Sequence, residues 1–193
     1  MKRTFLLLGF ISFFTLSVIA QKESDESEEP AKGFDKEKLF FGGTFALNFG
    51  NITIVNLSPQ IGYRFNRFLA AGIGINGQYS AFRSEYNGET LSREHYGVAG
   101  LNIFGRVYPI EQILLQVQPE LNYTWGKFKT YGPPDAEYKL AGKIVPSLLL
   151  GAGGVIPAGR GAFIAMVQYD VLQNDRTPYG SKMFYNFGYN IGF

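Results

Sequence analysis

The chain has no cysteine and only one histidine among its 193 residues. The absence of cysteine excludes disulfides, zinc–thiolate sites and a lipid attached to an N-terminal cysteine. A single histidine also excludes a metal site built on a histidine pair. Charged residues are only 18% of the chain, and the formal charge of +2 includes Lys2 and Arg3 at the N-terminus. We therefore predict no metal, no cofactor and no nucleic-acid partner.

Long apolar runs are also missing outside the N-terminus, so no segment approaches the ~20 apolar residues of a spanning helix. Residues 5–20 (FLLLGFISFFTLSVIA) follow Lys2 and Arg3, and Val18 and Ala20 suit cleavage before Gln21. This pattern predicts a cleaved signal peptide over 1–20. Residues 21–38 are acidic and almost without large apolar side chains, which predicts a flexible periplasmic tether.

From Leu39 onward, about eight segments alternate apolar with small or polar residues, which is the period of a β-strand. A chain without spanning helices can cross a membrane only as a closed barrel. Residues 39–193 are therefore predicted to be all-β, an eight-stranded antiparallel up-and-down transmembrane β-barrel. Connections after the second, fourth and sixth strands are short. Those after the third, fifth and seventh are predicted to be long external loops: RSEYNGETLSRE, KFKTYGPPDAEY and NDRTPYGSK.

Alternation alone also fits a soluble lipocalin-like barrel that buries its apolar face. About five large apolar residues per strand exceed what an eight-stranded interior holds. The other face is mostly Gly, Ala, Ser, Asn and Gln, whereas a soluble surface is about a quarter to a third charged. We therefore expect the apolar face to meet lipid and the polar face to line the lumen, with Gly72 to Gly77 and Gly151 to Gly154 making room for larger neighbours.

Charged residues are few on the predicted lumen face, and buried charges must be paired or hydrogen-bonded. Lys143 and Asp170 are predicted to pair across neighbouring strands, and a contact between Arg106 and Glu120 is a second hypothesis. The predicted polar network is Arg64, Arg106, Glu120, Lys143 and Asp170. Apolar residues on the same face favour a plugged lumen over a narrow pore for small solutes or ions: Phe82, Phe104, Tyr108, Leu149, Met166 and Phe184.

Two sequence features are typical of functional sites, one of catalysis and the other of nucleotide binding. His95 is predicted at the outer rim, at the start of the fourth strand, where some outer-membrane lipid-A deacylases and proteases carry a catalytic histidine. GIGING at 72–77 matches a dinucleotide-binding spacing, but that motif must open a helix. A strand is predicted to continue through it, so we expect neither a nucleotide site nor catalytic residues.

The C-terminal strand, MFYNFGYNIGF, ends on Phe193. With PAGRGAFIAMVQYDVL and TPYG, it resembles the small porin-like, OmpA/OmpX-type outer-membrane barrels. The resemblance implies a Gram-negative outer membrane with periplasmic termini, contact with lipid and lipopolysaccharide, and Phe193 as a signal to the barrel-assembly machinery. It implies no single activity. We expect a non-enzymatic structural or surface-interaction role, with a narrow-pore porin and a rim enzyme acting on lipid A or peptides as alternatives, and leave the oligomeric state open.

Overall fold

The computed structural model describes residues 35–48, 52–132 and 135–192. In these ranges eight antiparallel strands form one closed up-and-down barrel, which confirms the all-β, eight-stranded antiparallel part of the prediction. A 3-10 helix at Lys36–Lys38 precedes the first strand. The strands are β1 Leu39–Asn48, β2 Ile52–Arg64, β3 Leu69–Tyr86, β4 Glu89–Ile110, β5 Ile113–Thr130, β6 Ala136–Ala158, β7 Gly161–Asp170 and β8 Phe184–Ile191. Residues 1–34, which include the predicted signal peptide and most of the tether, and Phe193 lie outside the described residues.

Period-two alternation separates the two faces of the barrel wall. Along β5, residues from Ile113 to Trp125 alternate strictly between exposed outward positions and buried inward ones. Every strand contributes exposed apolar side chains to a continuous outer surface, here called the apolar belt. Its members include Phe41, Leu57, Ile73, Leu101, Leu121, Ile144, Phe163 and Phe187.

The strands differ greatly in length. β3 to β6 have 18, 22, 18 and 23 residues, whereas β7, β8 and β1 have 10, 8 and 10. We call β3 to β6 the tall wall, the end holding the start of β1 and the end of β8 the terminal end, and the opposite end the far end. The tall wall extends well beyond the others at the far end.

The prediction of a long loop over 83–94 is wrong. β3 and β4 continue as a ladder to a two-residue turn at Asn87 and Gly88, whose φ angles are 50° and 82°. Asn-Gly is the preferred pair for a hairpin turn with positive φ at both positions. The connection between β5 and β6 is also short, at residues 131–135. Only residues 171–183 form the long loop predicted after β7.

A hydrophobic floor fills the lumen at the terminal end. Phe40 and Phe104 meet with ring centroids 6.2 Å apart, and the cluster is completed by Ala70, Tyr108, Leu114, Val155, Ala162, Ile164 and Met166. A Cβ at Gly62 would lie 2.2 Å from Cζ of Phe40, and one at Gly72 would lie 2.4 Å from Cζ of Phe104. Both glycines make room for the rings, which the sequence predicted for Gly72. Phe82 differs from prediction, because it lies exposed near the far end.

The seam between β1 and β8 is the shortest ladder of the barrel. Its described pairing runs from Phe41 with Ile191 to Thr44 with Gly188. β8 pairs with β7 along its whole length, as far as Phe184, and β1 continues to Asn48. Toward the far end, β8 therefore has no described pairing to β1.

Candidate functional site

A directional hydrogen-bond chain crosses the lumen above the floor. The alternation of QVQPELN places Gln116, Gln118, Glu120 and Asn122 on the lumen face of β5. Arg106 donates from Nε to Oε1 of Gln116 at 2.6 Å. Gln116 then donates to Gln118, and Gln118 donates from Nε2 to Oε1 of Glu120 at 2.6 Å. The side-chain amides of Gln116 and Gln118 therefore point in the same direction, between the Arg106 cation and the Glu120 anion.

Asparagines continue the chain on the other side of the carboxylate. Asn122 donates to Oε2 of Glu120 at 2.8 Å. Asn76 donates to Asn122 at 3.0 Å, and Asn102 donates to Asn76 at 2.6 Å. We call the whole set, from Arg106 to Asn102, the amide ladder. It joins β3, β4 and β5 across the barrel interior.

The guanidinium of Arg106 is held on several sides. The residue is only 3% exposed, and its Nη2 donates to Oε1 of Gln60 at 2.9 Å. Its central carbon lies 4.4 Å from the ring centroid of Phe104. With the Asn190 amide oriented to place its oxygen toward Arg106, that oxygen accepts from Nη1 at 2.9 Å. A buried cation thus rests on the floor and meets amide oxygens instead of a direct carboxylate partner.

The loop at 171–183 inserts Tyr179 into the lumen from the far end. Its hydroxyl donates to Oε2 of Glu120 at 2.6 Å, and its ring stacks on Phe184 with centroids 4.6 Å apart. Burial, with the nearby Glu120 carboxylate next, raises the pKa of Tyr179 well above its usual value. Tyr179 therefore stays a neutral donor and fills the space above the amide ladder.

The same loop is fastened to the barrel wall by polar contacts. Thr177 donates to Oδ2 of Asp170 at 2.6 Å. Arg176 donates to the carbonyl oxygens of Ala141 at 2.8 Å and Thr124 at 3.2 Å. The bond to Ala141 covers part of β6 beyond its last described pair with β7, Leu149 with Asp170.

The predicted Lys143–Asp170 pair is wrong. The tight turn between β6 and β7 pairs Ala158 with Gly161, and this register places Leu149 opposite Asp170. Lys143 lies six residues farther along β6, about 20 Å at the rise of a strand, and is exposed at the far end. Asp170 instead accepts from the backbone N–H groups of Leu148 and Leu172, each at 3.1 Å.

The other predicted lumen charges occupy different levels of the barrel. Arg106 pairs with Gln116 in register, whereas Glu120 lies opposite Asn102. Their predicted contact is therefore indirect, through Gln116 and Gln118. Arg64 is half-buried near the terminal end, with its guanidinium carbon 4.8 Å from the ring centroid of Tyr108.

His95 lies on the outer face, within β4 rather than at its start. Its Nδ1 is 2.7 Å from the hydroxyl of Tyr79. It lines an open pocket of about 470 Å³ together with Tyr79, Trp125, Lys127, Lys139 and others. None of the described residues that line this pocket carries a carboxylate, thiol or aliphatic hydroxyl. The adjacent Glu94 side chain meets the hydroxyl of Tyr96, on the other face of β4. The geometry gives His95 neither a nucleophile nor an orienting acid.

A second pocket, of about 280 Å³, lies inside the barrel beside the seam, and we call it the seam pocket. Polar lumen residues line it, including Asn56, Gln78, Gln118 and Glu120. Pro178 and Tyr179 of the loop also line it. Its lining continues to Phe45, Tyr185 and Phe187, which belong to the outer face.

Sequence reasoning placed Glu120 on a lumen face rich in Asn and Gln but did not predict that these side chains form a ladder. Tyr179 was not predicted, because a tyrosine in a polar loop carries no signal that it enters the lumen. Among the described residues, no cluster of three or more histidine, cysteine or acidic side chains could hold a metal ion. No helix in the described ranges is long and apolar enough to cross a membrane. No protein-family model matches the chain, and no match was found among curated proteins.

Proposed function

We propose that the chain is an integral outer-membrane β-barrel protein of a Gram-negative bacterium, with periplasmic termini and a plugged lumen. Its role is structural or in surface interaction and is not enzymatic. The proposal includes the resemblance to the porin-like, OmpA/OmpX-type barrels and assembly by the barrel-assembly machinery. The observation that carries it is the apolar belt on the outside of a closed barrel.

The apolar belt has the composition of a lipid-facing surface. Leu57, Leu101 and Ile144 are 62%, 67% and 65% exposed, and they lie on three separate strands. No outward position of β5 from Ile113 to Trp125 is charged. A water-facing surface would be about 25–35% charged. Since one protein partner covers only one side, hydrocarbon surrounding the barrel accounts for a belt on every strand.

The height of the belt supports the same proposal. Twelve residue steps separate Ile113 from Trp125. At about 3.4 Å per residue and a tilt of about 40°, they span about 30 Å, which equals the hydrocarbon thickness of a bilayer. The next outward residue is Lys127, which forms an ion pair with Glu137 at 3.0 Å. Tyr123 and Trp125, with ring centroids 5.7 Å apart, lie where an interfacial girdle belongs.

The lumen contents favour a plug over a pore. Phe40, Phe104 and Leu114 are at most 1% exposed and close the terminal end. The amide ladder fills the middle, and Tyr179 covers the ladder from above. A pore for solutes or ions would require a continuous polar path, and the floor interrupts it.

The tall wall supports a role at the cell surface. β4 continues eight residues beyond Gly97, which pairs with Trp125 at the top of the apolar belt, so at the same tilt it would project about 20 Å beyond the bilayer. The projecting hairpins carry exposed polar pairs, such as Arg83 with Glu85 at 3.1 Å. A rigid projecting sheet next to lipopolysaccharide is a suitable surface for contact with other molecules.

Membrane fractionation and gel migration test the proposal. We expect the processed protein in the outer-membrane fraction, soluble only with detergent, and migrating faster on a gel when unheated than when boiled. The boiled sample is the control for the unfolded chain. A freely water-soluble protein without lipid would refute the proposal. Large, steady conductance in a planar bilayer would refute the plug alone.

A further inference from the structure

The seam pocket joins the lumen to the outer face of the barrel. Gln118 and Glu120 line its inner part, and Phe45 and Phe187 line its outer part. The two phenylalanines lie on opposite sides of the seam, just beyond the last described pair, Thr44 with Gly188. A polar interior therefore continues laterally into the apolar belt.

An unpaired strand edge facing hydrocarbon is costly, because each unsatisfied backbone group costs several kcal/mol in lipid. Toward the far end, β8 has no described pairing to β1, although its other edge is paired with β7. An occupant that supplies polar groups at this level would lower that cost. An apolar extension of the same occupant would fit between the outward aromatic rings.

Two polar atoms at the pocket indicate the chemistry of the occupant. Asn186 donates to Oε1 of Gln168 at 2.8 Å, which leaves Nε2 of Gln168 and Oδ1 of Asn186. Both atoms are buried and have no hydrogen-bond partner among the described residues, and both residues line the pocket. A hydroxyl group can accept from the first and donate to the second.

The charge and the volume of the seam pocket narrow the chemical class of the occupant further. Among the described residues that line the seam pocket, Glu120 alone is charged, so an anionic head group would be repelled. The volume of about 280 Å³ lies just below the range of about 300–1,000 Å³ that is usual for small-molecule sites. It suits a small head group, with the rest of the molecule outside.

We propose that the seam pocket binds the neutral, hydroxyl-bearing head of a single-chain amphipath, whose hydrocarbon tail passes between β1 and β8 into the surrounding lipid. The inference rests on the proposed membrane location. Tyr179 forms part of the pocket roof, and Gln168 and Asn186 hold the hydroxyl group.

Binding is tested with the full chain in phospholipid nanodiscs, after fast unheated gel migration has shown that the barrel is folded. The probe is 1-monolauroylglycerol, with laurate as the anionic counterpart of the same chain length. Native mass spectrometry measures how much of each remains bound. We expect at least tenfold more bound monolauroylglycerol than laurate, and a tenfold loss in Gln168→Leu, which removes the Nε2 donor.

Cross-linking the seam tests whether the hydrocarbon tail passes between β1 and β8. The chain has no native cysteine, so a disulfide can be introduced at a chosen pair of positions. The ladder register would place Phe45 opposite Phe187 if pairing continued past Thr44. We expect oxidation of the Phe45→Cys/Phe187→Cys variant to reduce binding at least tenfold, and reduction to restore it. The Phe41→Cys/Ile191→Cys variant, in the paired part of the seam, should bind normally in both states.

A folded barrel that binds no monolauroylglycerol, or that binds laurate equally well, would overturn the inference and leave the proposed function intact. Unchanged binding by Gln168→Leu, or by the oxidised Phe45→Cys/Phe187→Cys variant, would overturn it as well. A protein that never enters the bilayer would instead count against the proposed function.

Discussion

Removing Arg106 tests whether the amide ladder stabilises the barrel as one unit. In Arg106→Met, the hydrogen bonds to Gln116 at 2.6 Å and Gln60 at 2.9 Å are lost, and Glu120 loses its balancing charge. Each hydrogen bond to a charged group contributes about 1.5–3 kcal/mol. Breaking a buried charge pair typically costs about 3–5 kcal/mol. We therefore expect the free energy of unfolding to fall by about 3–5 kcal/mol.

A double-mutant cycle with Glu120→Gln separates the ladder from local packing. Arg106 lies opposite Gln116, and Glu120 lies four residues farther along β5, about 13 Å at the rise of a strand. At an effective dielectric constant of about 20, direct attraction contributes about 1.3 kcal/mol. Polarised amides between them should add to this value. We expect a total coupling of about 1.5–3 kcal/mol, which Gln118→Leu should reduce toward the direct term.

Denaturant unfolding in phospholipid vesicles measures each variant, with the single Trp125 as the fluorescent probe. The matched control pairs Arg106→Met with Leu121→Ala. Leu121 is next to Glu120 in sequence but faces outward, so these two changes should add within about 0.5 kcal/mol. If the Arg106→Met and Glu120→Gln effects also add within about 0.5 kcal/mol, the ladder is not a coupled unit.

Three further changes test separate parts of the structure. Tyr179→Phe keeps the stacked ring but loses the bond to Glu120, so protease should cut the 171–183 loop faster than in wild type. This difference in cleavage rate should shrink as pH rises above 10, because the raised pKa of Tyr179 makes wild type lose stability there. An equal difference at pH 8 and pH 11 would contradict this. Gly72→Val places a Cβ 2.4 Å from Phe104 and should cost about 1–3 kcal/mol of unfolding free energy, whereas Gly105→Ala, with 3.6 Å of room, is the control and should change it little. Cells carrying His95→Ala should have the lipid-A mass spectra of wild type and none of the phenotype caused by deleting the gene. A phenotype equal to that of full deletion would restore the rim-enzyme alternative.

The fold was readable from the sequence because one face of each strand is apolar and the other is not. The period of two fixed the strand count and the faces of residues such as Leu121 and Glu120. The register was not readable, since alternation is satisfied by any even shift between strands. That ambiguity explains the wrong pairing of Lys143 with Asp170, which lies six residues away from the correct register.

Long-range contacts were also beyond sequence reasoning. Polar residues around Asn87 suggested a loop, although the Asn-Gly pair already indicated a tight hairpin turn. The entry of Tyr179 into the lumen depends on the fastening of its loop by Arg176 and Thr177 to neighbouring strands. No local sequence pattern indicates the contacts of Arg176 and Thr177, because they start in a loop without periodicity and end on strands that are distant in sequence or in register.

The depth dependence of an arginine substitution tests the apolar belt most directly. Leu101 lies in the middle of the belt at 67% exposure, and Leu91, at 44%, lies ten residues farther along β4 toward the far end. In phospholipid vesicles, Leu101→Arg should lower the free energy of unfolding by about 2–4 kcal/mol, and Leu91→Arg by no more than about 1 kcal/mol. Equal and small effects at both positions would mean that water, and not hydrocarbon, surrounds the barrel.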